Sequence, residues 1–295
     1  MKNFDYVKRE EYMPVKKGLI ELIKKVQDEV SDKFTFRYDF IGITRYHDSI
    51  TATQGLTLIN QLNALINVVT AGDGSQNSSY AEVITILQEA DKSLTDPTKL
   101  WSMYDSSLRD ITWDSNNNWN REHVWPQSLL GGGSTSGRTV LTDPHNLRAI
   151  TPSTNTSRLN KYFDNLTSSV SYFPGDAHKG DVARILLYMV VRYNNLSLVD
   201  GKPNVYQMSR ISLLFAWHQE DQVDDFEIRR NEVIYQHQGN RNPFIDNPTW
   251  FETVWQYYMQ QVGLQVKALE MQIYTLESMY IIQTQYVSLE EKFIH

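Results

Sequence analysis

Between Arg121 and Lys161 the chain loses the apolar periodicity that governs it on either side. Upstream, Leu58, Ile59, Leu62, Leu65, Ile66 and Val69 recur at helical spacing, and Tyr80, Val83, Ile84 and Leu87 mark a second helix. Downstream the spacing predicts helices over Asp181 to Tyr193 and Ser209 to Trp217, and a further face from Trp250, Phe251, Val254, Trp255, Tyr258, Met259 and Val262. Ala71-Gly72-Asp73-Gly74-Ser75 is a helix stop, and Asp114 to Asn118 a polar turn. Inside the interruption, Gly131-Gly132-Gly133 predicts a loop and Val140-Leu141 a short strand. An apolar stripe must be buried against another element. The expected class is therefore α+β, a mainly helical body around a small irregular core.

At 295 residues the chain holds about two domains, or one with appendages. Hydrophobic residues at 41% are enough for a sizeable core and exclude a disordered polymer. With no cysteine there is no disulfide framework, no thiol catalysis and no Cys-based zinc site. Any metal must then sit on His, Asp, Glu, Asn or backbone oxygen, a set that suits magnesium, calcium or manganese. The net charge of −7 argues against indiscriminate binding to DNA or anionic membranes, although such a figure hides any local basic cleft. Ala183 to Val191, the most apolar stretch, is too short to span a bilayer. Met1 to Glu11 carries mixed charges and does not read as a signal peptide.

Three parts are expected: an N-terminal helix and extended arm over 1–45, a catalytic domain over 46–262 and a helical tail over 263–295. The first rests on Leu19, Leu22, Ile23, Val26 and Val30 at helical spacing, then Phe34, Phe36, Tyr38 and Phe40 alternating with polar residues. In the tail, Val262, Val266, Leu269, Ile273, Leu276 and Tyr280 step by four, three, four, three and four, a heptad seam. Gln283 interrupts that seam. Self-association through the tail is favoured slightly over packing on the body.

The densest chemistry lies in Asn120-Arg121-Glu122-His123-Val124-Trp125-Pro126. In an extended segment neighbouring side chains point to opposite faces, so Glu122 and His123 would do different jobs. No pair of histidines stands four apart, as zinc helices require. Asp143-Pro144-His145-Asn146-Leu147-Arg148 adds a neutral amide oxygen, a hard ligand, at Asn146. Asn155-Thr156-Ser157-Arg158-Leu159-Asn160 adds a guanidinium and two further amides. From Arg121 to Lys161 five cations (Arg121, Arg138, Arg148, Arg158, Lys161) face two anions, Glu122 and Asp143, a local balance of +3. A basic island with one carboxylate suits metal-assisted phosphodiester cleavage, with a histidine taking the proton from water.

These motifs resemble the endonuclease I family of non-specific nucleases, whose core is a His–metal finger of the ββα type. Asn-Arg-Glu-His-Val-Trp-Pro stands intact at 120–126, Asp-x-His-Asn-Leu at 143–147, and Asn155, Arg158 and Asn160 follow. Further matching blocks are Gly180-Asp181-Val182-Ala183-Arg184, Trp217-His218 with Asp221, Val223 and Asp224, Glu227 to Asn231, and Gly239 to Asp246. The similarity runs from about Tyr46 to Val262. It implies an exported enzyme cutting DNA and RNA with one divalent cation, magnesium first and calcium or manganese as alternatives. By position, Glu122 and Asn146 would ligate the metal and His123 would be the general base. The transition-state arginine is not fixed by a motif. Arg138, the one cation between His123 and Asn146, is favoured over Arg158. The cysteines of some family members have no counterpart here.

His145 is expected to orient its loop by hydrogen bonding. Arg121, Arg158 and Asn160 are candidates for nucleic-acid contact. Arg229, Arg230 and Arg241 divide evenly between phosphate contacts and ion pairs with Asp224, Glu227 and Asp246. Trp217 and Trp250 read as core, and the remaining histidines as packing or surface. Two rival functions stand beside the nuclease: an inactive nucleic-acid-binding or scaffolding protein, and a phosphoesterase acting on small substrates.

Overall fold

The computed structural model describes residues 46–67 and 77–263. The N-terminal helix and arm, the stop at Ala71 to Ser75 and the heptad seam beyond Val262 lie outside the described residues. The chain divides between Asp48 and Ser49, and every element below belongs to the second unit.

Helix α1 (Gly55–Ile66) buries Leu58, Ile59, Leu62 and Ile66, the stripe its spacing predicts. Helix α2 (Glu82–Ala90) opens on a reciprocal cap. Ser79 N–H donates to Glu82 Oε2 at 2.7 Å, and Glu82 N–H donates to Ser79 Oγ at 3.2 Å. Strands β1 (Lys99–Trp101) and β2 (Leu108–Asp110) pair antiparallel. Strand β3 (Asn120–His123) pairs antiparallel with β4 (Leu147–Ile150), setting Glu122 opposite Arg148 and His123 opposite Leu147. Helix α3 (Pro152–Arg158) follows β4 after one residue, with proline at its first position, where the missing N–H costs nothing.

Two parallel pairs follow, β5 (Tyr162–Phe163) with β6 (Ser171–Tyr172) and β7 (Ser197–Leu198) with β8 (Gln207–Met208). Between these pairs runs α4 (Lys179–Arg192), buried on every face. Such a helix needs neighbours all round. It packs against α1 and against α5 (Ile211–Glu220). Gly180 is required there, because a Cβ at that position would collide with the Asp221 carbonyl. Helices α6 (Asp225–Gln238), α7 (Pro243–Asp246) and α8 (249–263) complete the body.

The main core gathers α1, α4, α5 and α8 with Val124, Trp125 and Phe163. A second cluster of Val83, Leu87, Leu100, Trp119, Leu147 and Ala149 backs β4. Each such side chain contributes roughly 1.5–3 kcal/mol when fully buried. The β3–β4 pair is thus a rigid floor. Trp217 and Trp250 pack on the main core, as expected.

The architecture is α+β. One local expectation fails, and one helix went unread. Val140–Thr142 is a turn of 3₁₀ helix rather than a strand, because Thr139 and Thr142 form a capping box around it. Helix α6 was not legible as a helix. Its buried side includes Glu227, Arg230 and Asn231, so its sequence shows no apolar stripe. Those polar groups are satisfied internally: Arg184 grips Glu227 at 2.5 and 2.7 Å, and Arg230 Nε donates to Asp91 at 2.8 Å. No helix among the described residues is long and apolar enough to cross a membrane.

Candidate active site

Above the β3–β4 floor lies a cleft of about 440 Å³. Tyr80, Asn116, Asn120, Arg121, Glu122, His123, Pro126, Gln127, Ser128, Asn155, Arg158, Leu159 and Asn160 line it. Strand β3 supplies four of these in succession, Asn120 to His123.

Glu122 and His123 diverge as an extended backbone requires. Glu122 is 3% exposed. Its Oε1 accepts from Tyr104 Oη at 3.0 Å and lies 3.2 Å from Arg158 Nε. Its Oε2 has no protein donor among the described residues. Burial pushes the Glu122 carboxyl upward, while Arg158 and the Tyr104 hydroxyl pull it back toward ionisation.

His123 Nε2 lies 2.8 Å from the Leu141 carbonyl oxygen. A carbonyl only accepts, so Nε2 carries the proton and the lone pair of the neutral ring sits on Nδ1. Burial pushes the imidazole down to about 4, helped by Arg121 and Arg158 and opposed by the Leu141 bond. The ring is therefore neutral at pH 7. The 3₁₀ turn at Val140–Thr142 is what presents that carbonyl.

Arg121, two residues before His123 on the same strand face, lies flat on Tyr80 with its guanidinium carbon 3.5 Å from the ring centre. Nη1 donates to the Tyr80 carbonyl at 2.6 Å, and Trp113 lies 4.9 Å away. No carboxylate pairs with Arg121 among the described residues. Arg158 is fully buried, with Nη2 donating to the Val124 carbonyl at 2.5 Å and Nη1 to the Leu159 carbonyl at 2.9 Å. Asn160 lies at the rim, 3.4 Å from Ser128 Oγ.

Other sequence candidates are not at the cleft. Asn146 is fully buried, and its amide is committed at both ends. Oδ1 accepts from Trp125 N–H at 2.7 Å, and Nδ2 donates to the Trp125 carbonyl at 3.1 Å. It staples the turn after His123. Arg138 pairs with Glu82 at 2.9 Å on the surface and donates to the Asn77 carbonyl. His145 is buried against Tyr188, with its Nε2 3.3 Å from the Asn240 carbonyl. Arg230 is bound to Asp91 and to the carbonyls of Pro144 and Leu147. Arg241 is clamped by Asp246 at 2.7 Å and Glu232 at 2.5 Å. Arg241 thus pairs with Asp246, one of the partners considered, whereas Arg230 pairs with Asp91 rather than with Asp224, Glu227 or Asp246.

Asn155 and Tyr80 were missed as cleft residues. Asn155 sits three residues before Arg158 on α3, so the two share a helix face. That spacing was the available signal. Its amide has no protein partner among the described residues. Nothing in the sequence tied Tyr80 to β3. Asn120 Oδ1 is also buried without a donor. No group of three or more His, Cys, Asp or Glu side chains among the described residues is arranged to hold a metal. A cation at the cleft would rest on Glu122 Oε2 and amide oxygens, hard donors that fit magnesium, calcium or manganese.

A neutral imidazole, a partly free carboxylate and a guanidinium with no carboxylate partner among the described residues meet in one cleft, the kinds of group that hydrolysis of an anionic substrate uses. The model of the Endonuclease I family matches residues 54–249. Two curated relatives, each called "Extracellular ribonuclease", come from Bacillus amyloliquefaciens and Bacillus subtilis (strain 168). Each is 35% identical over 232 residues, covering 71% of this chain and 78% of the relative. The family and its relatives identify a nuclease, a hydrolase acting on nucleic acid. The chain belongs to the Endonuclease I family.

Proposed function

We propose that the chain is a metal-dependent endonuclease without sequence preference that hydrolyses phosphodiester bonds of RNA and DNA outside the cell. The observation that carries this reading is His123, whose Nε2 is tied to Leu141 and whose Nδ1 lone pair belongs to a ring lining the cleft beside Glu122. The names of the two relatives support RNA as a substrate and export as the destination. The succession β3, β4, α3 supports the ββα-metal reading of the core.

His123 Nδ1 takes a proton from water, whose oxygen then attacks the phosphorus as the bond to the leaving oxygen breaks. Glu122 Oε2 and the Asn155 amide oxygen would hold one magnesium ion, with calcium or manganese as substitutes. Such an ion supplies positive charge at a phosphate oxygen and eases departure of the leaving group. Asn155 replaces Asn146 in this role because the Asn146 amide is committed to Trp125. Arg121 is the cation that meets the phosphate. Arg158 holds Glu122 in place, and Arg138, on the surface, serves neither purpose. Phosphate contacts without base-edge donors give affinity with no sequence code.

The test is incubation of the full chain with supercoiled plasmid and with single-stranded RNA, in magnesium and then with EDTA. Cleavage of both, abolished by EDTA and by His123→Ala, is the expected result. Cleavage that survives EDTA would remove the metal from the mechanism. Binding without cleavage would leave a nucleic-acid-binding protein.

A further inference from the structure

Leu159 directly follows the arginine that grips Glu122, and it stands 62% exposed in the lining of the cleft. A single exposed leucine needs no explanation. This one differs in its backbone. Its φ of 51° and ψ of −134° lie in a region that L residues rarely adopt and that is strained for a leucine.

The strain is held by identified contacts. Leu159 N–H closes α3 on the Asn155 carbonyl at 3.0 Å. Its own carbonyl accepts from Arg158 Nη1 at 2.9 Å. The guanidinium is in turn fixed by Glu122 and the Val124 carbonyl. One arginine thus positions the carboxylate and sets the backbone that presents the apolar side chain. Strain of this kind clusters where a side chain must be presented to a ligand.

The aromatic rings nearby are already engaged. Tyr80 carries Arg121 on its ring, and Trp113 packs edge-on against Trp119 at 4.7 Å. Leu159 is the exposed aliphatic side chain in a lining that is otherwise largely polar.

Resting on the nuclease reading, we infer that Leu159 is a specificity-determining residue that packs on the face of the nucleobase beside the scissile phosphate. Apolar wedges serve proteins that unstack nucleic acid in this way. A leucine offers no hydrogen bond to a base edge, so its contact favours large flat bases over small ones. The consequence is a graded bias in cut sites without a recognition sequence.

The experiment maps product ends from mixed-sequence single-stranded DNA and RNA, cut by the full chain and by three variants, with kcat and KM measured on one oligonucleotide. Wild type should show a purine bias at one nucleotide flanking the cut. Leu159→Ala should flatten that bias and raise KM about tenfold, the scale of one lost apolar contact, with kcat nearly unchanged. Leu159→Met, which keeps apolar reach, should retain the bias. Leu159→Gly relieves the positive φ, so it should lose the bias while its melting temperature holds or rises. An unchanged cut-site profile and KM in both the alanine and glycine variants, with wild type active, would overturn the role of Leu159 and leave the nuclease reading standing. Absence of cleavage by wild type would overturn both.

Discussion

Arg158 Nε lies 3.2 Å from Glu122 Oε1, and both side chains are buried. This contact joins the helix after β4 to the strand that carries His123. It holds one oxygen of Glu122 while the other is left without a protein donor.

Removing one member of a buried pair strands the other, at a cost of about 3–5 kcal/mol. Arg158→Ala should therefore lower the denaturation midpoint sharply and abolish cleavage. Arg138→Ala breaks a partly exposed pair worth about 0–1 kcal/mol, so stability and activity should stay near wild type. Urea melts beside plasmid nicking assays compare the two. A large loss of activity without loss of stability in Arg138→Ala would restore it as a catalytic cation.

The two asparagines should separate in the same way. Asn155→Ala should weaken magnesium binding in titration calorimetry while leaving the melting temperature close to wild type. Asn146→Ala unpairs the Trp125 backbone and should cost about 1–3 kcal/mol of stability, with residual metal affinity intact in the folded fraction. The reverse pattern would return the metal to Asn146.

His123→Ala should reduce cleavage by about 10²–10⁴-fold, the usual worth of a general base. Oligonucleotide affinity should barely change, while loss of the buried ring leaves the Leu141 carbonyl unpaired and should cost about 1–3 kcal/mol of stability. Retention of a tenth of wild-type rate in single-turnover assays would place the base elsewhere.

Salt dependence should distinguish the arginines. Arg121→Ala should lower the slope of log affinity against log salt by about one, as loss of one phosphate contact does. Arg241→Ala should leave the slope unchanged and destabilise the fold, because its guanidinium is held by Asp246 and Glu232. Fluorescence anisotropy across a salt series reads both.

Acid should unfold the protein through its buried histidines. Burial pushes His145 down to about 3 and His178 to about 4, against an unfolded value near 6.5. The unfolded chain thus takes up protons first as pH falls. The stability these groups contribute is complete above about 6.5 and is lost progressively toward 4. His178→Gln should make the decline of melting temperature between pH 7 and pH 4 shallower than in wild type. An identical slope would assign the acid sensitivity to other groups.

The sequence by itself determined the parts whose signal is local. Apolar spacing set α1, α2, α4 and α5, and the unbroken run from Asn120 to Pro126 placed Glu122 and His123 together through the extended backbone. Family likeness drew attention to Asn155 without a role. The tertiary structure alone decided which amide faces the cleft and which arginine is spent. Asn146 and Asn155 carry the same chemistry and stand nine residues apart. One is closed off by the Trp125 backbone and the other lies open on α3. Arg138 was favoured in sequence as the one cation between His123 and Asn146, yet Glu82 reaches it from α2. Helix α6 hid for a related reason, since its buried face mixes Phe226 and Ile234 with Glu227, Arg230 and Asn231, whose partners lie elsewhere in the chain. Pairing between distant charges and hydrogen-bonding groups leaves no periodic mark in a sequence, whereas the burial of an apolar stripe does.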